Sequence, residues 1–296
     1  MTNGPTTTLD GQQIVSKALG KIGDIATLPE VTLRIIKVVE DPKSTARDLH
    51  AIIKYDPPLS AKILKVVNSA FYGLPGQIAS VDRAIVLLGL RAVKNIAIAT
   101  SVTRLFKGVR PVPGFDPKEL WRHCMAVGVV CRLIFQKKDK SRMEEAFLAG
   151  LIHDLGIIVA FQAFADRFGD LMDRVSKEGM SWCQAETDIF GVDHQTLGMG
   201  LATKWKFPMA LRAAVGYHHN PDRVSEDNRL IAYAVHLADM IACVDKKGFS
   251  MTVRDEEAVL TPQLMEIVGL SDADVTNLRA DLDDALATAE GSLGGN

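Results

Sequence analysis

The 296-residue chain is short of several things, and each shortage excludes a class of protein. Its four cysteines, Cys124, Cys131, Cys183 and Cys243, form no C-x-x-C pair, which removes the usual thiolate metal modules. A cytosolic setting disfavours disulfides, so all four read as packing residues; Cys124 adjoins His123 but falls on a different helix face. Charge of one sign is also missing. The formal net charge is −2, so no basic field draws the chain to nucleic acid or anionic lipid. The polar start, MTNGPTTTLDGQQ, has no apolar signal core, and no uninterrupted apolar run approaches the ~20 residues of a membrane helix. The expectation is a cytoplasmic protein with neither nucleic acid nor membrane as a partner. Repeats are absent, and so is any receiver, cyclase or PAS-like region; an input signal is expected from another chain.

What is present is helix. Hydrophobic residues make up 47% of the chain, enough for one large core or two smaller ones. Ile14, Ala18, Ile22 and Ile25 recur at helical spacing, as do Val31, Ile35, Val38 and Val39. Ser44 and Ser80 read as N-caps, and Asp56-Pro57-Pro58 as a helix start. Residues 107–116, with two prolines and two glycines, read as a boundary between two bundles. Further helices are expected near 117–136, 143–162, 164–178, 181–190, 193–204, 208–217 and 227–245. In the tail, Thr261-Pro262 has the N-cap and N1 pattern, and Ser271 with Asp274 resembles a capping box. The fold class is therefore all-α, two packed helical bundles. The expected division is an N-terminal extension over 1–21, a bundle over 22–112, a second bundle over 113–250 and C-terminal helices over 251–296.

Six of the seven histidines fall between residues 123 and 236, most beside an Asp or another His. Neutral imidazole and carboxylate are ligands of borderline and hard divalent metals. In a bundle such a site forms when several helices project side chains inward. His123 has Glu119 one turn earlier, either a fellow ligand or a solvated carboxylate at the helix start. His153 and Asp154 lie in AFLAGLIHDLGIIVAF, so apolar that a buried Asp there must be paired or metal-bound. His194 follows Asp193, an N-cap, and is either ligand or surface residue. His218 and His219 close a helix at Asn220-Pro221, where a histidine also suits the helix dipole. Asp239 sits in the apolar run AYAVHLADMIACV, three residues after His236. Together these suggest one or two divalent transition-metal ions. The mixed oxygen and nitrogen set suits iron, manganese or zinc.

The runs LPEVTLRIIKVVEDP, DPPLSAKILKVVNSAFYG and IASVDRAIVLLGLRAVKNIAIA closely resemble the HDOD family of bacterial signalling proteins. LWRHCMAVG, EEAFLAGLIHDLG, GVDHQTLGMGLATKWKFP and GYHHNP continue the match, which covers residues 22–245 or so. The resemblance implies that the second bundle is HD-domain-like, related to metal phosphohydrolases. It orders His123, His153, Asp154 and Asp239 as the central ligands, with Glu119 an additional one. It implies that His194, His218 and His219 fit the extra positions of the HD-GYP phosphodiesterases, and leaves His236 outside the set. Two departures stand out: the Lys of the enzymes' HD-x-G-K motif is Ile157 here, and the Glu after the paired histidines is Asn220. Loss of that Lys removes a cation from the phosphate site. The function implied is a regulatory, metal-binding protein acting through signalling partners. The alternative is a metal-dependent phosphohydrolase or cyclic dinucleotide phosphodiesterase with a phosphate or nucleotide ligand, in which Asp154 would be catalytic. A DNA-binding reading of residues 44–67 fails on charge, since only Lys62 and Lys65 would face the phosphates.

Overall fold

The computed structural model of the chain describes residues 10–23, 27–106 and 109–293; Ile25 and the first two residues of the expected 107–116 boundary lie outside them. Among the described residues there is no strand beyond one isolated bridge, Val112 to Phe115. The N-terminal part comprises α1 (Gly11–Lys21), α2 (Glu30–Glu40), α3 (Ala46–Ile53), α4 (Pro57–Val67), α5 (Val81–Leu88) and α6 (Leu90–Val102). The rest comprises α7 (Pro117–Lys138), α8 (Met143–Ile152), α9 (Leu155–Ala163), α10 (Phe168–Glu178), α11 (Trp182–Phe190), α12 (His194–Lys204), α13 (Met209–Tyr217), α14 (Glu226–Val244), α15 (Pro262–Val268) and α16 (Asp272–Leu293).

Local chemistry sets many of these boundaries. Asp56 caps α4 by accepting from Leu59 N at 2.9 Å, with Pro57 in the first turn, where its missing N–H costs nothing. Ser80 caps α5 through Arg83 N, and Thr261 caps α15 through Leu264 N. Ser271 and Asp274 exchange the two bonds of a capping box ahead of α16. One cap moves from its expected place. Thr45, not Ser44, closes α3 in a capping box with Asp48, because Asp48 stands three residues after Thr45. Gly89 turns the chain by 120° between α5 and α6 with φ at +86°, a conformation open to glycine.

Helices α2 to α6 pack as the first bundle, and α7, α8, α9, α12, α13 and α14 form the second. The α6–α8 contact joins them, and one hydrophobic core runs through both without a break. At the seam, Tyr72 donates to Glu144 Oε2 at 2.5 Å, and Arg132 both bonds Glu144 and lies 4.2 Å over the Phe71 ring. Helix α1 does not extend the first bundle. It docks on α9 and α12 of the second, tied by Lys21 Nζ to Ala163 O at 2.6 Å. Helix α16 runs back along α7, so α1 and α16 both buttress the second bundle.

The expected helix over 143–162 is two helices, α8 and α9, broken at His153-Asp154. The segment Lys140–Ala163 is long and apolar enough by composition to cross a membrane, although His153-Asp154 interrupts its apolar run. It is instead the central element of the core, with 94% of its most apolar 18-residue window buried inside the protein. Glycines let it sit there. A Cβ on Gly150 would lie 2.8 Å from Gly128 Cα of α7, and one on Gly156 would lie 1.8 Å from His194 O of α12.

Candidate metal centre

The site forms where the α8–α9 break meets one residue from each of α7 and α14 and the ends of α12 and α13. His123 comes from the second turn of α7, and Asp239 from the middle of α14. His194 opens α12 behind the cap Asp193, and His218-His219 follow the last turn of α13. His123, His153, Asp154, His194, His218 and Asp239 are all fully buried, and His219 is only 14% exposed. All seven predicted ligands other than Glu119 therefore converge. Glu119 does not: it is exposed in the first turn of α7, on the groove beside Gly248 and Phe249. Pro117 and Leu120 of the same turn are buried while the Glu119 side chain lies in solvent, so standing one turn before His123 does not bring it in. His236 is half-buried and faces a groove that opens beside His219.

The distances describe two ends joined chiefly by Asp154, with Asp239 also reaching across. At the first end, His123 Nε2 lies 3.1 Å from Asp239 Oδ1 and 3.7 Å from Asp154 Oδ2. His153 Nε2 lies 3.2 Å from Asp154 Oδ2 and 3.9 Å from Asp239 Oδ1. At the second end, Asp154 Oδ1 lies 3.4 Å from His194 Nε2 and 3.5 Å from His218 Nε2. His219 Nδ1 reaches Asp239 Oδ2 at 3.9 Å.

Close as they are, most of these atoms are not aligned for hydrogen bonding with one another; the exception is the pair His194 Nε2 and His218 Nε2, 3.2 Å apart. His123 Nε2, His153 Nε2 and both Asp154 oxygens are buried without a hydrogen-bond partner. Unpartnered buried carboxylate oxygens are costly, and side chains crowding around a common point without bonding are the geometry of a ligand shell. Asp154 reinforces this. It occupies the N-cap position of α9, yet its side chain accepts no cap bond, whereas Asp56, Asp116 and Asp193 each cap their helix. The carboxylate forgoes its ordinary helix role and turns into the cluster. His123, His153 and Asp239 lie within 4.8 Å of one another in their ligand atoms, as do His153, Asp154 and His218. The donor set fits a divalent transition metal.

Electrostatics keep the carboxylates ionised. Burial pushes Asp154 up, but the His153, His218 and His194 imidazoles overcome it and hold the group well below the usual carboxylate range. Asp239 is likewise raised by burial and lowered further by His123, His153 and His219. Burial holds His218 and His219 below the ordinary imidazole value, with neighbouring rings adding to it, which favours the neutral form that ligates a metal.

Supporting groups hold the rings. His153 Nδ1 donates to Gly150 O at 2.8 Å, and His218 Nδ1 to Val215 O at 3.1 Å, which turns each Nε2 toward the centre. Buried Glu186 of α11 binds His194 Nδ1 at 2.7 Å. Gln195 Oε1 accepts from the His219 backbone N–H. Cys243 donates from 3.5 Å to Asp239 Oδ1, so it is more than packing. Sequence reading missed Glu186. The signal was there in WCQAETDIF, where Glu186 shares the apolar face of Trp182, Ile189 and Phe190.

With the geometry in place, comparison with known proteins gives a consistent picture. A family model described as HDOD domain matches residues 25–221. A curated relative from Treponema pallidum, itself uncharacterised, is 24% identical over 229 residues, which is 77% of this chain; the chain spans only 44% of that relative's length. Among solved structures, an HDOD domain protein of unknown function from Geobacter sulfurreducens has a TM-score of 0.76 at 22% identity, covering 95% of this chain and 98% of that one. A Shewanella amazonensis SB2B protein, provisionally named a phosphohydrolase, gives 0.69 at 23% identity, with 95% and 98% covered. A Marinobacter aquaeolei VT8 protein, provisionally named for signal transduction, gives 0.71 at 19% identity, with 97% and 69% covered. At these identities the likeness is one of fold.

Proposed function

The chain belongs to the HDOD family, and from that premise we propose that it is a cytoplasmic signal-transduction protein whose HD-like site holds a divalent transition metal and which acts through protein partners. The carrying observation is the pair of buried, unbonded Asp154 oxygens between two groups of imidazoles. His123, His153, Asp154 and Asp239 would hold one ion, and His194, His218 and His219 the ligands of another. The bundles over 22–112 and 113–250 act in this reading as one unit, in keeping with their continuous core.

A regulatory role is favoured over turnover by what surrounds the cluster. Ile157, where the related enzymes carry Lys, is fully buried on the apolar side of α9. No cation can therefore meet a phosphate from that position. Asn220 in place of a Glu removes a further carboxylate beside His219.

One observation supports the phosphohydrolase reading. A groove of about 400 Å³ opens beside His219, lined among others by Asn220, Arg223, Tyr233, His236 and Gln263. A bound metal would supply Lewis-acid stabilisation and a water of lowered pKa. In that case Arg223, which forms no ion pair among the described residues, would orient an anionic ligand, and Asp154 would be catalytic.

Metal content of the purified protein, measured beside Asp154→Ala, tests the main reading. Near-stoichiometric metal lost in the variant supports it; no metal in either refutes it. Metal-loaded protein assayed on cyclic dinucleotides and a chromogenic phosphodiester decides between the readings. Hydrolysis that Asp154→Ala abolishes would establish the enzyme.

A further inference from the structure

Two of the ligand groups share no member. One is His123, His153 and Asp239, with only nitrogen and oxygen donors. The other is Cys183, His194 and His219, whose Sγ and ring nitrogens lie within 4.8 Å of one another. The sequence treats Cys183 as packing, but its neighbours are imidazoles. Cys183 and Glu186 stand three residues apart on α11, hence on one face, and both meet His194. Glu186 fixes the His194 ring, and His219 Nε2 is buried with no partner.

We propose that Cys183 supplies a thiolate ligand, together with His194 and His219, to a second metal position that differs in chemistry from the one at His123, His153 and Asp239. This rests on the metal-centre reading above and adds its ligand type and metal class. Thiolate with imidazole selects a borderline ion such as zinc, while the carboxylate-rich position also accepts iron or manganese. Zinc–sulfur and zinc–nitrogen bonds of about 2.3 and 2.0 Å put ligand atoms roughly 3.5 Å apart. Cys183 and His219 are the two partly exposed members and can close that difference by side-chain rotation. Their exposure also gives the ion a route in. Binding converts the thiol to thiolate, with the proton released to solvent.

Cobalt(II) titration of the full chain tests this, because thiolate-to-cobalt charge transfer absorbs in the near ultraviolet and nitrogen or oxygen ligation does not. Wild type is expected to show that band together with visible ligand-field bands. Cys183→Ser is expected to lose the charge-transfer band and to bind the second equivalent at least roughly 10–100-fold more weakly, with the first equivalent and the circular dichroism unchanged. Independently of any variant, zinc should protect Cys183 of the wild-type protein from alkylation. Ligand-field bands without charge transfer, a band that survives in Cys183→Ser, or alkylation indifferent to zinc would each overturn the proposal while leaving the metal centre standing. Wild type that takes up no cobalt would overturn both.

Discussion

Glu186 Oε2 receives two donors from a single residue, the backbone N–H of His194 at 2.8 Å and its ring Nδ1 at 2.7 Å. The double attachment fixes both where α12 begins and which ring nitrogen faces Asp154. Burial raises the Glu186 carboxyl, an effect the His194 ring and backbone partly offset; burial also pulls the His194 ring down, but Glu186 and then Cys183 outweigh it and hold that ring well above the ordinary imidazole value. Glu186→Gln keeps the shape but removes the charge that strengthens the ligand. Metal affinity is expected to fall about 10–100-fold in chelator competition, with the helical content unchanged. Unchanged affinity would reduce Glu186 to a helix-start partner.

Gly156 separates α9 from the first residue of α12, and a Cβ there would fall 1.8 Å from His194 O. Since this is backbone against backbone, no rotamer relieves it. Gly156→Ala is expected to destabilise the chain by about 3 kcal/mol or more, at or beyond the upper end of overpacking costs. It should also displace His194 from Asp154. Urea denaturation and metal content should move together; a wild-type midpoint would contradict the packing described.

Bound metal stabilises by mass action, because the unfolded chain has no preformed site. At a hundredfold excess over Kd the gain is about 2.7 kcal/mol, a Tm rise of several degrees. A chelator should reverse it, and Asp154→Ala should show neither response. Differential scanning fluorimetry with and without metal is sufficient. An equal rise in the variant would locate the ion elsewhere.

Asp274 fastens α16 to α7 through Lys137 Nζ at 2.7 Å and closes the Ser271 capping box. Lys137 first, then the Ser271 hydroxyl and backbone, hold its carboxyl well below the usual carboxylate range. A depressed folded pKa contributes stability that is present above the unfolded pKa and lost as pH falls through the folded one. The stability gap between wild type and Asp274→Asn should therefore be full at pH 7 and shrink progressively once pH drops below about 4. Because the pair is exposed, high salt should diminish it. Urea midpoints at several pH values give the measurement, and a pH-independent gap would mean that the ion pair contributes nothing.

The sequence by itself determined the helical class, most of the caps and seven of the side chains that the fold brings together. Hydrophobic spacing near 3.6 residues and side chains such as Asp56 and Ser80 act over four residues, so they are legible without a structure. The same holds for His153-Asp154, because a carboxylate in so apolar a run has to find a partner. Tertiary structure alone decided which groups meet. The sequence ran 143–162 as one helix, yet the fold breaks it so that Asp154 can turn both oxygens into the cluster. It left Glu119 as a candidate, and the packing of Pro117 and Leu120 inward turns that residue to solvent. It filed Glu186 and Cys183 as ordinary helix residues, since their relation to His194 depends on how α11 packs beside the start of α12. Local propensity specifies an element from its own residues, whereas a metal centre is a property of distances between elements. Those distances follow from the packing of side chains far apart in the chain, and here from glycines such as Gly150 and Gly156 that let the central helices approach.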